Sequence, residues 1–134
     1  MLRLLYISTA RAAFTQAQLG ELLRVSRRNN EAAGVSGLLI VRTRRFLQAL
    51  EGPANAVEAT YARILADSRH FATVVLSKAE VNERLFPTWA MGYQPLTGLG
   101  TVPSVAANVA ALIDQIDDPT VRAYFMGFAE QQAV

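Results

Sequence analysis

Apolar and polar positions alternate from the first residues of the chain. In "LRLLYIS" (2–8), Leu2, Leu4 and Tyr6 fall on one side of an extended backbone, the period-two signature of a half-buried strand. The period then lengthens. Thr15 and Gln18 have the spacing of a capping box, and the stripe Leu19, Leu22, Leu23 predicts a helix running to about Ala33, with Gly34 as its stop. "VSGLLIV" (35–41) and "FLQALE" (46–51) read as two strands joined by "RTRR" (42–45), a hairpin with a solvated basic tip. Gly52 and Pro53 break the second of them, and proline suits the first turn of a helix whose inward face is Val57, Tyr61, Ile64 and Leu65. "FATVVLSKA" (71–79) is a β-branched strand, and "TWAMGY" (88–93) is a last short one with Trp89, Met91 and Tyr93 on the same side.

This order, βαββαββ, predicts an α+β fold, a ferredoxin-like sandwich with two helices on one face of the sheet. The other face needs a cover. Beyond the loop "TGLG" (97–100), one stripe runs through Val105, Val109, Leu112, Ile113 and Ile116; a second, after the start signal Asp118-Pro119, runs through Val121, Phe125 and Phe128. Two additional C-terminal helices are therefore expected, covering that face or a partner. Residues 1–96 form the sandwich in this reading, and 97–134 form a two-helix extension packed on the same domain.

Composition narrows the chemistry. At 134 residues and 51% hydrophobic content the chain is read as one soluble domain with a real core. It has no cysteine and one histidine, which removes disulfides, thiolate chemistry and a histidine-rich metal site, so no metal is expected. The net charge of +2 is too mild to imply nucleic acid. No run of 18 uncharged apolar residues suggests a membrane span, and the short apolar start lacks the parts of a signal peptide, so the expected compartment is the cytoplasm.

Certain polar residues then stand where apolar ones are expected. Gln48 lies between Phe46 and Leu50 on one strand face, at core level, where an unpaired amide costs roughly 1–3 kcal/mol. Tyr6 brings a phenol to the inward face of the first strand, and buried tyrosines usually find a partner for the hydroxyl. The first helix stripe continues through Ser26, Asn29 and Asn30, although asparagine is a poor interior helix residue. Arg63 and Asp67 are four apart on the second helix and could be an exposed ion pair; Arg69 and His70 follow at its end, where cations suit the dipole. Each has a bland explanation alone. Their convergence on one face predicts a slot between the two helices, apolar on its walls and polar at selected points, as in a cofactor pocket. It offers no nucleophile with a base beside it, so binding is expected rather than catalysis.

Together these residues resemble the BLUF family, the sensors of blue light using FAD. The matches are Tyr6 and Ser8 in "YIS", Asn29 and Asn30 in "RNN", Ser36 and Gly37 in "VSGLL", all of "FLQALEG", Asp67, Arg69 and His70 in "DSRH", and Trp89 and Met91 in "FPTWAM", in the family's order over about residues 1 to 93. The resemblance implies FAD held non-covalently between the two helices. It implies that Asn30 bonds the O4/N3 edge of the isoalloxazine ring and Arg69 its O2 side, with Ser26, Asn29, Arg63, Asp67 and His70 as further pocket residues. Gln48 would stand between the ring and the Tyr6 hydroxyl, and light would draw an electron and a proton from Tyr6 and leave the glutamine rearranged. Trp89 and Met91, on the last strand, would carry the change outward. After Leu96 the likeness is only to the plan of short family members without an effector, which implies signalling to a separate, unidentified protein or through a homo-oligomer.

Other readings are weaker. An RNA-binding ferredoxin-like module would need exposed aromatics on its central strands, and "FLQALEG" lacks that pattern. A small phosphohydrolase built on "STARAAF" (8–14) with Arg11 would lack both the glycines of a phosphate loop and a paired base. A flavin-binding domain without signalling output fits the same residues.

Overall fold

The computed structural model describes residues 1–12, 14–42, 44–94 and 109–130. Within them the elements are β1 (Leu2–Ala10), α1 (Gln16–Ala33), β2 (Ser36–Arg42), β3 (Arg45–Gly52), α2 (Ala54–Ala66), β4 (His70–Glu80), β5 (Trp89–Gln94), α3 (Val109–Asp114) and α4 (Pro119–Glu130). The strands form one sheet in the order β4-β1-β3-β2-β5. Neighbours are antiparallel except β5, which runs parallel to β2. The expected ferredoxin-like α+β sandwich is therefore present, with β5 added at the β2 edge.

Local chemistry accounts for the boundaries. Thr15 and Gln18 close the predicted capping box, each satisfying the other's backbone N–H (3.1 and 2.8 Å). Gly34 ends α1 in the left-handed region at φ 73°, where a side chain would be strained. Pro53 stands one residue before α2, as its N-cap, rather than inside the first turn. At Gly37 the constraint is space, because a Cβ there would run into the carbonyl of Ala49 on the paired strand.

The pleat sorts side chains onto two cores. Leu2, Leu4, Tyr6, Leu39, Val41, Phe46, Leu50 and Trp89 lie in the clusters on the α1/α2 face. Leu5, Leu38, Ile40, Leu47 and Ala49 face the other way, against Phe86, Ile113, Ile116, Val121, Phe125 and Phe128. The C-terminal helices thus cover the second sheet face. Val105, the loop 97–100 and the expected boundary at 96/97 lie outside the described residues.

One expectation needs correction. Leu65, assigned to the inward stripe of α2, is 55% exposed; Val57 and Ile64 take the sheet-facing positions, and Leu65 sits a further 100° around the helix. The strand expected at 71–79 forms as β4, His70–Glu80. β4 is the sheet edge, its register against β1 shifts twice, and Val74 and Val75 are exposed. The hairpin tip is also less free than a solvated turn, since Arg44 folds back to donate to the carbonyls of Ala10 and Arg11 at 3.0 Å each.

Candidate functional site

Between α1 and α2, over the β1/β3 centre of the sheet, lies a cavity of about 190 Å³. Its floor comes from alternate strand positions, Tyr6 on β1, Leu39 on β2, and Phe46 and Gln48 on β3. Tyr6 and Gln48 are directly paired across the two strands, so their side chains rise together on one face. The α1 wall is Leu22, Val25, Ser26, Asn29 and Asn30, and the α2 side brings Thr60, Arg63, Ile64, Asp67, Arg69 and His70. Every residue predicted from the polar interruptions of the core lines this one space: Tyr6, Ser26, Asn29, Asn30, Gln48, Arg63, Asp67, Arg69 and His70.

Gln48 Nε2 donates to the Tyr6 hydroxyl at 3.1 Å, in a buried contact. The partner demanded by an amide at core level is the phenol. Gln48 Oε1 has no protein donor among the described residues, and the phenol accepts, leaving its own O–H free. Burial pushes the Tyr6 phenol well above its ordinary value, and the bond from Gln48 offsets only part of that, so the hydroxyl stays protonated at neutral pH. The Tyr61 ring packs beside it at 5.2 Å.

Asn30 is buried, yet its side-chain amide makes no hydrogen bond within the described protein. A buried amide left in that state is costly unless a ligand meets it. On the opposite wall, Arg69 forms a forked ion pair with Asp67, Nη2 to Oδ2 at 2.6 Å and Nε to each carboxylate oxygen at 3.0 Å. The guanidinium holds the Asp67 carboxyl down at about 2. The Arg63–Asp67 pair suggested by helical spacing is not what forms; Asp67 turns to Arg69, while Arg63 donates to Thr60 Oγ1 at 3.3 Å. His70 sits edge-on to Phe46 and within 3.4 Å of Ser8 Oγ, and burial lowers its affinity for a proton.

Thr60, Val25 and Leu39 were not assigned to the slot by the sequence reading, and Leu22, Phe46 and Ile64 entered it only as core positions. Thr60 was accessible in principle, since it follows Val57 by three residues on the sheet-facing stripe. Trp89 does not line the pocket; it is buried in the cluster that holds the floor residues Leu39 and Phe46, and its indole Nε1 has no partner among the described residues. Of Met91 the backbone is described, paired in parallel with Leu39.

A cavity of about 190 Å³ between two helices, with apolar side chains, a paired phenol and carboxamide on its floor and a second amide on its α1 wall, is the form of a small-molecule binding site. Residues 1–92 match the model of the BLUF family, the sensors of blue-light using FAD, and the chain belongs to that family. It is a blue-light flavin sensor domain. Among relatives, the photoactivated adenylate cyclase subunit beta of Euglena gracilis is 33% identical over 101 residues, 75% of this chain and 12% of that protein. The chain thus spans about an eighth of the length of such relatives. Among solved structures, BlrB, a BLUF protein in its dark state, shares 25% identity with a TM-score of 0.68, covering 96% of this chain and 92% of that one. BlsA in its ground state (20% identity, TM-score 0.67, 99% and 90% covered) shows the same fold.

Proposed function

We propose that this chain is a blue-light photoreceptor that binds FAD non-covalently in the α1/α2 slot, that light draws an electron and a proton from Tyr6 and leaves Gln48 rearranged, and that the output is read by a separate protein. The observation that carries this reading is the buried Gln48 Nε2 to Tyr6 O contact on the floor of a pocket in which the buried Asn30 amide is unspent. When bound, the isoalloxazine ring supplies visible absorption and, once excited, a strong oxidant. The residues fit that group. Asn30 would hold the O4/N3 edge, Arg69 the O2 side, and Ser26, Asn29, Arg63, Asp67 and His70 would complete the enclosure.

What the chain itself contributes is a reversible hydrogen bond. With Nε2 toward the phenol, Gln48 donates and Tyr6 accepts. Rotation of the carboxamide by half a turn, or its tautomerisation, replaces that donor by an acceptor, so the Tyr6 O–H then donates to Gln48. Two arrangements of similar shape follow, differing in the direction of one bond and in what faces the ring. No covalent bond to a substrate is needed, and the chain acts as a sensor, not an enzyme.

The partner class is suggested by the relatives: the photoactivated adenylate cyclase subunit beta matches this chain over 101 residues, 12% of its own length, so the match leaves most of that protein for other parts. The test is direct. Purified protein should be yellow, release FAD on denaturation, show a small red shift of the flavin bands in blue light, and recover in darkness. Released FMN would correct the cofactor, a yellow protein with no light response would leave a flavin-binding domain without output, and a colourless protein that ignores added flavin would overturn the reading.

A further inference from the structure

The motif "FLQALEG" contains a second misplaced polar group that the photochemistry does not use. Glu51, three residues beyond Gln48 on β3, points to the opposite sheet face and is fully buried. A carboxylate in that position must be matched by charge and hydrogen bonds. Arg3 Nε meets Oε2 at 2.6 Å, and the backbone amides of Leu85 and Phe86 donate to it at 2.8 to 3.1 Å. Those amides belong to the linker of residues 81–88 between β4 and β5, an irregular segment outside the sheet ladder. Arg84 from the same linker donates back to the carbonyls of Gly34 (2.8 Å) and Glu51 (3.1 Å) and to Ser36 Oγ. Arg3 also reaches toward Asp118 (4.0 Å), whose other oxygen caps α4 through the amides of Thr120 and Val121.

The linker ends are tied by Val81 N–H to the Met1 carbonyl (2.8 Å) and by Gly37 N–H to the Thr88 carbonyl (3.3 Å), Arg3 Nη2 reaches the Glu83 carbonyl (3.4 Å) and the Phe86 ring packs against Phe125, while the backbone amides in its middle are held by the Glu51 carboxylate. That carboxylate is placed on the strand that carries the switch, and it connects to both the approach to Trp89 and the start of α4. A directional bond from a carboxylate to two backbone amides has discrete bonded and released states, even where the ring beside it stays packed. We infer that Glu51 is a positioning residue that relays the state of β3 to the 81–88 linker and the N-terminus of α4, so that illumination loosens its grip on the Leu85 and Phe86 amides. The relay rests on the photoreceptor reading above.

The experiment is amide exchange resolved at Leu85 and Phe86 by NMR in the flavin-loaded protein, in darkness and under continuous blue light, with the absorption spectrum recorded on the same sample. The expected result is a red shift together with exchange at these two amides faster by roughly tenfold, the scale of a weakened charge-assisted bond, while amides in the middle of α1 keep their rate. Glu51→Gln should show fast exchange already in darkness, no further increase in light, and an unchanged red shift. Should that variant not fold, the wild-type comparison stands alone, and Arg84→Gln, which leaves the carboxylate in place, should raise the dark rate at the same amides. A full red shift with equal dark and lit rates at Leu85 and Phe86 would overturn the relay alone. Absence of any red shift would overturn the photoreceptor reading and the relay with it.

Discussion

The two faces of the sheet are built from the same strands and obey different rules. On the α3/α4 face, Leu5, Leu38, Ile40, Leu47 and Ala49 meet Phe125 and its neighbours in an apolar layer. On the α1/α2 face the same alternation delivers Tyr6, Ser8 and Gln48 among leucines and Phe46, and the layer opens into a cavity. Among the described residues the one buried charge on the α3/α4 side, Glu51, is matched by Arg3 and two backbone amides, whereas the polar groups of the α1/α2 face border a cavity with hydrogen-bonding capacity to spare. β3 shows the division within eight residues, since Leu47 and Ala49 pack in the apolar core while Gln48 between them faces the cavity.

Substitutions should separate the two faces. The largest effect expected is at Phe125, a fully buried ring in the α3/α4-face core. Phe125→Ala should lower unfolding stability by about 3–5 kcal/mol, read by denaturant titration, with flavin affinity of the folded fraction little changed. A stability loss below about 1 kcal/mol would mean that this face is not the main core. Asn30→Ala acts on the opposite face and should reverse the pattern. Loss of a buried hydrogen-bonding amide predicts flavin binding weaker by roughly 10- to 100-fold, measured by fluorescence quenching on titration with FAD, and little change in the melting of the flavin-free protein.

Acid should also act through the pocket face, and in one direction. His70 binds its proton less readily in the folded protein than at its ordinary 6.5, because burial disfavours the imidazolium. The unfolded chain therefore takes up more protons below that value, and stability falls as pH drops through it. Asp67, held at about 2 by Arg69 against an ordinary 3.8, adds stability that is complete above the ordinary value and is lost as pH falls toward 2. Denaturation midpoints of the flavin-free protein should decline in both ranges, His70→Gln should flatten the upper one and Asp67→Asn the lower, and a wild-type profile level from pH 7 to 5 would contradict the His70 assignment. The smallest effect is expected at Leu65, which touches neither core: Leu65→Gln should stay within about 0.5 kcal/mol of wild type, and a larger loss would place it back on the inward face.

Much of this division could be read from the chain before its structure. Strict alternation in β1 and β3 put Tyr6 and Gln48 on one face, and a polar side chain at a core-level position is informative because its burial has to be matched. Thr15, Gln18 and Gly34 fixed the ends of α1 through local chemistry alone. Less legible was whatever depends on which elements end as neighbours. The β-branched run of β4 looks the same in a central strand and at an edge, and only the strand order leaves Val74 and Val75 exposed. Spacing alone paired Asp67 with Arg63, whereas the turn after α2 brings Arg69 closer. The burial of Glu51 was equally hidden, since the amides that satisfy it come from 34 and 35 residues away.

The central claim is that the Gln48 carboxamide and the Tyr6 phenol are the switch, and it is tested most directly by light-minus-dark absorption of flavin-loaded Tyr6→Phe and Gln48→Leu beside the wild type. Both variants should stay yellow and lose the reversible red shift. If either keeps a shift of wild-type size that reverses in darkness, the contact at 3.1 Å is not where light is converted into a structural change.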